Sequence, residues 1–202
     1  MAYLIESKGL AEMARYLQRF PETAREAAML AINQVADRNA LRDIRAGIEE
    51  QIAFPKGYLQ QQDRLSVSKK ATRNNLSAII TARDRATSLA RFSDARSPAE
   101  TRGKPLRIQV KRGRTSILRA AFLVQLKNGN IGLAVRLKDG ETIQNKREVK
   151  AVLFEKNIYL LYGPSVDQIF QTLLPELAPG ILDRVDAEFS RQFVRLSNRG
   201  RL

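Results

Sequence analysis

Phe122-Leu123-Val124-Gln125-Leu126-Lys127-Asn128-Gly129-Asn130-Ile131-Gly132-Leu133-Ala134-Val135 decides the fold class. Asn128-Gly129 stands between two apolar runs. Asn and Gly are the residues that best accept the positive φ angles of a tight type I′ hairpin. A two-residue loop there pairs Leu126 with Ile131, Val124 with Leu133 and Phe122 with Val135, so one face of the hairpin is apolar throughout. Upstream, Leu106, Ile108 and Val110 alternate with Arg107, Gln109 and Lys111, the pattern of a half-buried strand with a basic outer face. Leu76 to Thr81 reads as a further strand, and Arg112-Gly113 and Asp139-Gly140 as turns. The middle of the chain is therefore expected to be a mostly antiparallel β-sheet with hairpins.

Helices flank it. Leu10 to Arg19 reads as a first piece, ending at Phe20-Pro21, and Pro21 suits the first position of a second helix reaching Ala53. That helix would have roughly 32 residues and a length of about 48 Å. Its apolar stripe changes face at Asp37-Arg38-Asn39. Ala24, Ala28, Ala31, Ile32 and Val35 share one side, whereas Leu41, Ile44, Ile48 and Ile52 share another. A helix that outruns a small core commonly serves self-association, so Leu41, Ile44, Ile48 and Ile52 form the candidate oligomer interface. Phe54-Pro55-Lys56-Gly57 is a turn leading to a short helical tail ending at Gln62. At the far end, Pro164 is expected at the first helical position, Pro175 to kink or restart the helix, and a last helix to run from Ile181 to about Leu196 before a basic tail. The fold class is α+β, in a single domain over 1–202 made of a helical arm (1–60), a basic sheet region (61–162) and C-terminal helices (163–202).

Composition narrows the chemistry. Cysteine and histidine are both absent, which removes disulfides, thiolate and imidazole metal ligands and the imidazole base of a hydrolytic triad. Gly103-Lys104 is followed by Pro105, so it is not a P-loop. Asp183 and Asp186 share a helix face, and Glu49-Glu50 are neighbours pointing apart; both read as solvated polar positions. No catalytic, cofactor or metal site is expected. Met1 to Gly9 lacks a basic stretch followed by an apolar run, and no apolar run approaches a membrane span, so no membrane association is expected.

The formal net charge is +14, and it is concentrated: residues 64–119 hold fifteen Lys and Arg against Asp84, Asp94 and Glu100. Such a field attracts nucleic acid or an acidic protein face, and a solvated surface is the plain alternative. Phe92 is the one aromatic residue in that segment, so base stacking is not signalled there. Arg107, Lys111, Arg112 and Arg114 are the candidate contacts to DNA or to an acidic partner.

The order of these parts resembles minor tail protein Z of lambda-like phages, the tail completion protein. The likeness rests on Leu89-Ala90-Arg91-Phe92, Val110-Lys111, Arg119-Ala120-Ala121-Phe122, Asn128-Gly129 and above all Leu161-Tyr162-Gly163-Pro164-Ser165-Val166. It covers most of 20–195, and residues 138–157 depart from the family pattern. The resemblance implies a virion component, made in the host cytoplasm, that acts late in tail assembly and in head–tail joining. It implies the tail terminator, tube or connector as partners, packaged DNA close by, and no catalytic residues. A ring of copies, hexameric to match a tail, is the expected assembly. A sequence-independent nucleic-acid-binding protein is the alternative. Gly163 and Pro164 form the structural corner between sheet and helix, with Gly163 expected to take backbone angles closed to other residues.

Overall fold

The structure, a computed structural model, describes Gln18 and residues 21–61, 64–138, 141 and 149–199. The helix read at Leu10–Arg19, apart from Gln18, which is helical, and the turn at Asp139-Gly140 lie outside the described residues. The elements are α1 (Pro21–Gln34), a π-helical turn (Val35–Ala40), α2 (Leu41–Gln51), β1 (Leu65–Lys69), β2 (Ile79–Ala82), β3 (Thr87–Ser88), β4 (Leu106–Ile108), β5 (Ser116–Leu118), β6 (Ala121–Gln125), β7 (Ile131–Arg136), β8 (Lys150–Glu155), β9 (Ile158–Gly163) and α3 (Val166–Arg199). Helices flank antiparallel sheets, an α+β fold, as expected.

The chain forms two compact units, Met1–Gly47 with Gln60–Ala82 and Phe170–Leu202, and Ile48–Leu59 with Arg83–Ile169. Each draws on all three sequential parts read from the sequence. In the first unit, α1 turns a stripe of four alanines, Ala24, Ala27, Ala28 and Ala31, onto Phe189, with Leu76, Phe193 and Leu196 around them. Alanine there lets the helix backbone come close to the aromatic rings, and Phe189 and Phe193 stack at 6.0 Å. Asn33 brackets Ala71, donating from Nδ2 to its carbonyl at 2.9 Å and accepting from its N–H at 2.7 Å. Glu26–Arg73, Asp37–Lys70 and Asp43–Arg184 are ion pairs of this unit.

The face change at Asp37-Arg38-Asn39 falls inside the π turn, whose wider winding re-aims the side chains that follow. The interface expected from it is overturned. Leu41, Ile44, Ile48 and Ile52 are 8%, 1%, 0% and 3% exposed, so the chain itself covers them. Leu41 and Ile44 belong to the first unit, Ile48 and Ile52 to the second.

In the second unit, β9 pairs with β8 along one edge and with β7 and β3 along the other, and β6 pairs with β7. The β6–β7 register differs by one residue from the expected one: Leu123 faces Leu133, Val124 faces Gly132 and Phe122 faces Ala134. The loop has three residues, closed by Leu126 N–H to the Asn130 carbonyl (2.8 Å) and Gly129 N–H to the Leu126 carbonyl (2.9 Å). Only Gly129 takes a positive φ, +78°, because the Asn128 side chain accepts from Asn130 N–H and holds Asn128 out of the left-handed region. The slip puts Gly132 where a Cβ would lie 2.9 Å from Leu160, and spreads apolar residues over both faces of the sheet. The β8–β9 hairpin, turning at Lys156-Asn157 with Asn157 at φ 60°, was not legible as a hairpin in the sequence.

α3 is one helix of 34 residues with Pro175 and Pro179 inside it, where a restart was expected. Proline costs a backbone hydrogen bond. Both prolines are exposed, while Phe170, Leu173, Ile181 and Phe189 along the same helix are buried, and this burial holds the helix together across the two gaps. Ser197 and Asn198, read as the start of a basic tail, lie within the helix.

Candidate polyanion interface

β4 and β5 form a short ribbon, with Leu106 opposite Leu118, Arg107 opposite Ile117 and Ile108 opposite Ser116. Leu106 and Ile108 are buried, so Arg107 and Ile117 are turned outward, and Ile117 is 58% exposed. The alternation read from the sequence is thus realised over β4; Val110 lies beyond the strand.

The loop between the strands is stapled to the end of α2. Ala53 N–H donates to the Val110 carbonyl at 2.8 Å, Arg112 N–H to the Gln51 carbonyl at 3.0 Å, and Ile52 and Lys111 form a bridge. The Arg112 guanidinium also donates through Nε to the Glu49 carbonyl at 2.6 Å. A cation on the last carbonyls of a helix meets the negative end of its dipole. Arg112 is therefore first a helix cap, and only secondarily available to a partner. Arg107, Lys111 and Arg114 are exposed, and Gly113 at φ +74° makes the expected turn between them. The structure brings all four candidate residues onto one hairpin.

Two of the segment's three acids, Asp94 and Glu100, are engaged locally. Asp94 clasps the Arg107 backbone, its N–H donating to the Arg107 carbonyl at 3.1 Å and its side-chain Oδ1 accepting from Arg107 N–H at 3.4 Å. Glu100 accepts from Arg96 N–H and from the Ser97 hydroxyl, and these bonds hold its carboxyl below the ordinary range. Arg91 lies over the Tyr58 ring at 5.4 Å. The sequence from Thr101 to Lys138 carries ten Lys and Arg and no Asp or Glu.

An open pocket of about 460 Å³ lies at the base of the ribbon, lined by Thr101, Gly103, Lys104, Pro105, Arg119 and Phe122 among others. Sequence reading missed it, because Lys104, Arg119 and Phe122 are separated along the chain and Phe122 falls outside the basic segment.

The corner Leu161–Val166 is rigid, for reasons other than those expected. Gly163 is not among the glycines at positive φ. It pairs with Thr87 in the sheet, and a Cβ on it would lie 2.9 Å from Leu89 Cδ2 and 3.6 Å from Phe92 Cε2. Pro164 stands outside the helix, and Ser165 is the cap. Its hydroxyl accepts from Gln168 N–H at 3.0 Å while Gln168 Oε1 accepts from Ser165 N–H at 3.0 Å, a reciprocal capping box. Asp167 N–H donates to the Arg83 carbonyl at 3.0 Å and fixes the first turn.

Among the described residues, no three Asp or Glu side chains gather to hold a metal ion, and no helix is long and apolar enough to cross a membrane. No family model, curated protein or solved structure matches the chain.

Proposed function

We propose that this chain is a structural virion protein of a tailed bacteriophage, a tail completion or neck component that acts in tail assembly and head–tail joining by docking. The observation that carries the reading is the ribbon. Arg107, Lys111 and Arg114 stand outward on one hairpin whose loop is tied to α2, so a cationic surface is presented in a fixed geometry. A preset surface of one sign favours encounter with an acidic partner or a polyanion. The tail setting comes from the resemblance. The corner Leu161–Val166, with its capping box, gives α3 a fixed exit from the sheet, which suits a joining part. Tail terminator, tube or connector proteins are the partners this reading names, with packaged DNA nearby.

Self-association moves to another surface, since the helix stripe that motivated a ring is buried. β8 is an edge strand with Val152 and Leu153 41% and 61% exposed. Its register on β9, Lys150 to Tyr162, Val152 to Leu160 and Glu155 to Ile158, puts Lys150, Val152 and Glu155 on one face. An antiparallel pairing of two copies centred on Val152 sets each Leu153 opposite the other copy's Ala151 and buries it. Leu153→Lys is expected to abolish a concentration-dependent dimer in sedimentation velocity; an unchanged species distribution refutes this surface.

Deleting the gene from the phage that carries it, and complementing with the wild-type chain or with Arg107→Ser, Lys111→Ser and Arg114→Ser combined, tests the main reading. Filled heads and separate tails are expected without the gene, joined particles with the wild type, and few with the triple variant. Full titre without the gene overturns the reading. Normal joining with impaired DNA handling would move the protein to sequence-independent nucleic-acid binding.

A further inference from the structure

The basic segment on its own lacks the aromatic residues that hold bases. The fold supplies one. Phe122, from β6, lines the same pocket as Lys104 and Arg119, with Pro105 beside it and Gly103 at φ +69° leaving its side of the wall without a side chain.

From this juxtaposition we infer that the pocket is a seat for one nucleotide unit, its base on the Phe122 ring and its phosphate between Lys104 and Arg119. The chemistry of the lining selects this ligand. Both ionic groups that line the pocket are cations, so a ligand that fills it carries negative charge. Inorganic phosphate alone would leave Phe122 and Pro105 in water, whereas a nucleotide covers an apolar floor and meets two cations at once. The volume of about 460 Å³ lies within the range of small-ligand pockets, roughly 300–1,000 Å³, and leaves room for base, sugar and phosphate together. Base–aromatic stacking tolerates any base, so the seat reads no sequence. An intact duplex buries the faces of its bases and cannot stack one on Phe122, so the fitting polymer is a single strand or an unpaired end. The seat stands apart from the tail setting, since it rests on the pocket alone.

The test is fluorescence anisotropy of the full chain with a labelled oligothymidylate and with a duplex of equal length, each over a salt series. Phe122→Leu is expected to weaken single-strand binding at least fivefold with the salt slope unchanged, and Phe122→Tyr, which keeps the ring, to restore it. Lys104→Ser with Arg119→Ser is expected to flatten the single-strand salt slope by about 0.7, for the one phosphate no longer neutralised. Thermal unfolding of each variant separates lost binding from lost fold. Competition with thymidine monophosphate identifies the source: displacement of the strand at millimolar nucleotide assigns the seat to a free nucleotide, and failure to displace assigns it to a strand. Equal binding by wild type, Phe122→Leu and Phe122→Tyr overturns the inference, as does duplex binding that matches the single strand in affinity and in its response to Phe122→Leu. No binding of either probe overturns it too.

Discussion

Gly163→Ala is a one-atom perturbation whose cost follows from the structure. The added Cβ would lie 2.9 Å from Leu89 Cδ2, whereas apolar carbons settle at about 3.5–4.0 Å, so something must give by roughly 0.6 Å or more. Leu89 is 1% exposed and cannot swing into solvent, and Phe92 Cε2 stands 3.6 Å from the same point. Overpacking of this kind costs about 1–3 kcal/mol. Backbone strain adds nothing, because Gly163 does not occupy the left-handed region. The assay is urea unfolding of four proteins: wild type, Gly163→Ala, Leu89→Ala and the double variant. Leu89→Ala alone is expected to cost about 2–5 kcal/mol, since it empties a buried site. In its background Gly163→Ala is expected to be nearly neutral, because the atom it struck is gone, giving a coupling of about 1–3 kcal/mol. An equal cost of Gly163→Ala in both backgrounds would refute the steric account and return the corner to a backbone explanation.

Ile44→Ala and Ile48→Ala are each expected to lower unfolding stability by about 2–5 kcal/mol, as buried large-to-small changes do, while leaving the oligomeric state in sedimentation unchanged. Ser165→Ala removes half of the capping box, with an expected loss of about 0.5–2 kcal/mol in the same urea assay. Asp43 answers to pH. Burial pushes its carboxyl up, but hydrogen bonds and charge from Arg184 and Arg42 outweigh burial and hold it below the ordinary value. A depressed carboxylate contributes stability that is present above its unfolded pKa and lost as pH falls through the folded one. Asp43→Asn should therefore be less stable than wild type at pH 7, by no more than about 1 kcal/mol for a pair this close to solvent, with the gap closing below about pH 4. A gap that widens in acid would contradict the pairing.

What the sequence made legible was periodicity. Alternation located β4 and β6–β7, and the Ala24 to Val35 and Phe170 to Phe189 stripes located the helices. Registers and partners were not legible, because they depend on single atoms. An Asn128 side chain bonding forward to Asn130 turned a two-residue loop into a three-residue one and moved each pairing along β6–β7 by one residue. At Gly163 the residue type was informative but its reason was not, since a glycine needed for φ and a glycine needed for space look alike in sequence.

The two-faced helix misled for a related reason. Periodicity reports that a stripe is covered and is silent on what covers it. Leu41, Ile44, Ile48 and Ile52 carry the same signal whether they meet a second copy or another part of their own chain. The π turn at Val35–Ala40 leaves little trace in composition, since Val-Ala-Asp-Arg-Asn-Ala would also fit an ordinary helix. The candidate site shows the converse. Charge pointed to the ribbon from sequence alone, because charge sums along any segment of chain. The pocket of Lys104, Arg119 and Phe122 needed the fold, because one wall comes from the start of β6 and another from the turn before β4. A linear window that gave no signal of base stacking, for want of aromatics, was therefore a statement about neighbours in sequence. Base stacking depends on neighbours in space, and in space the aromatic ring stands beside the cations.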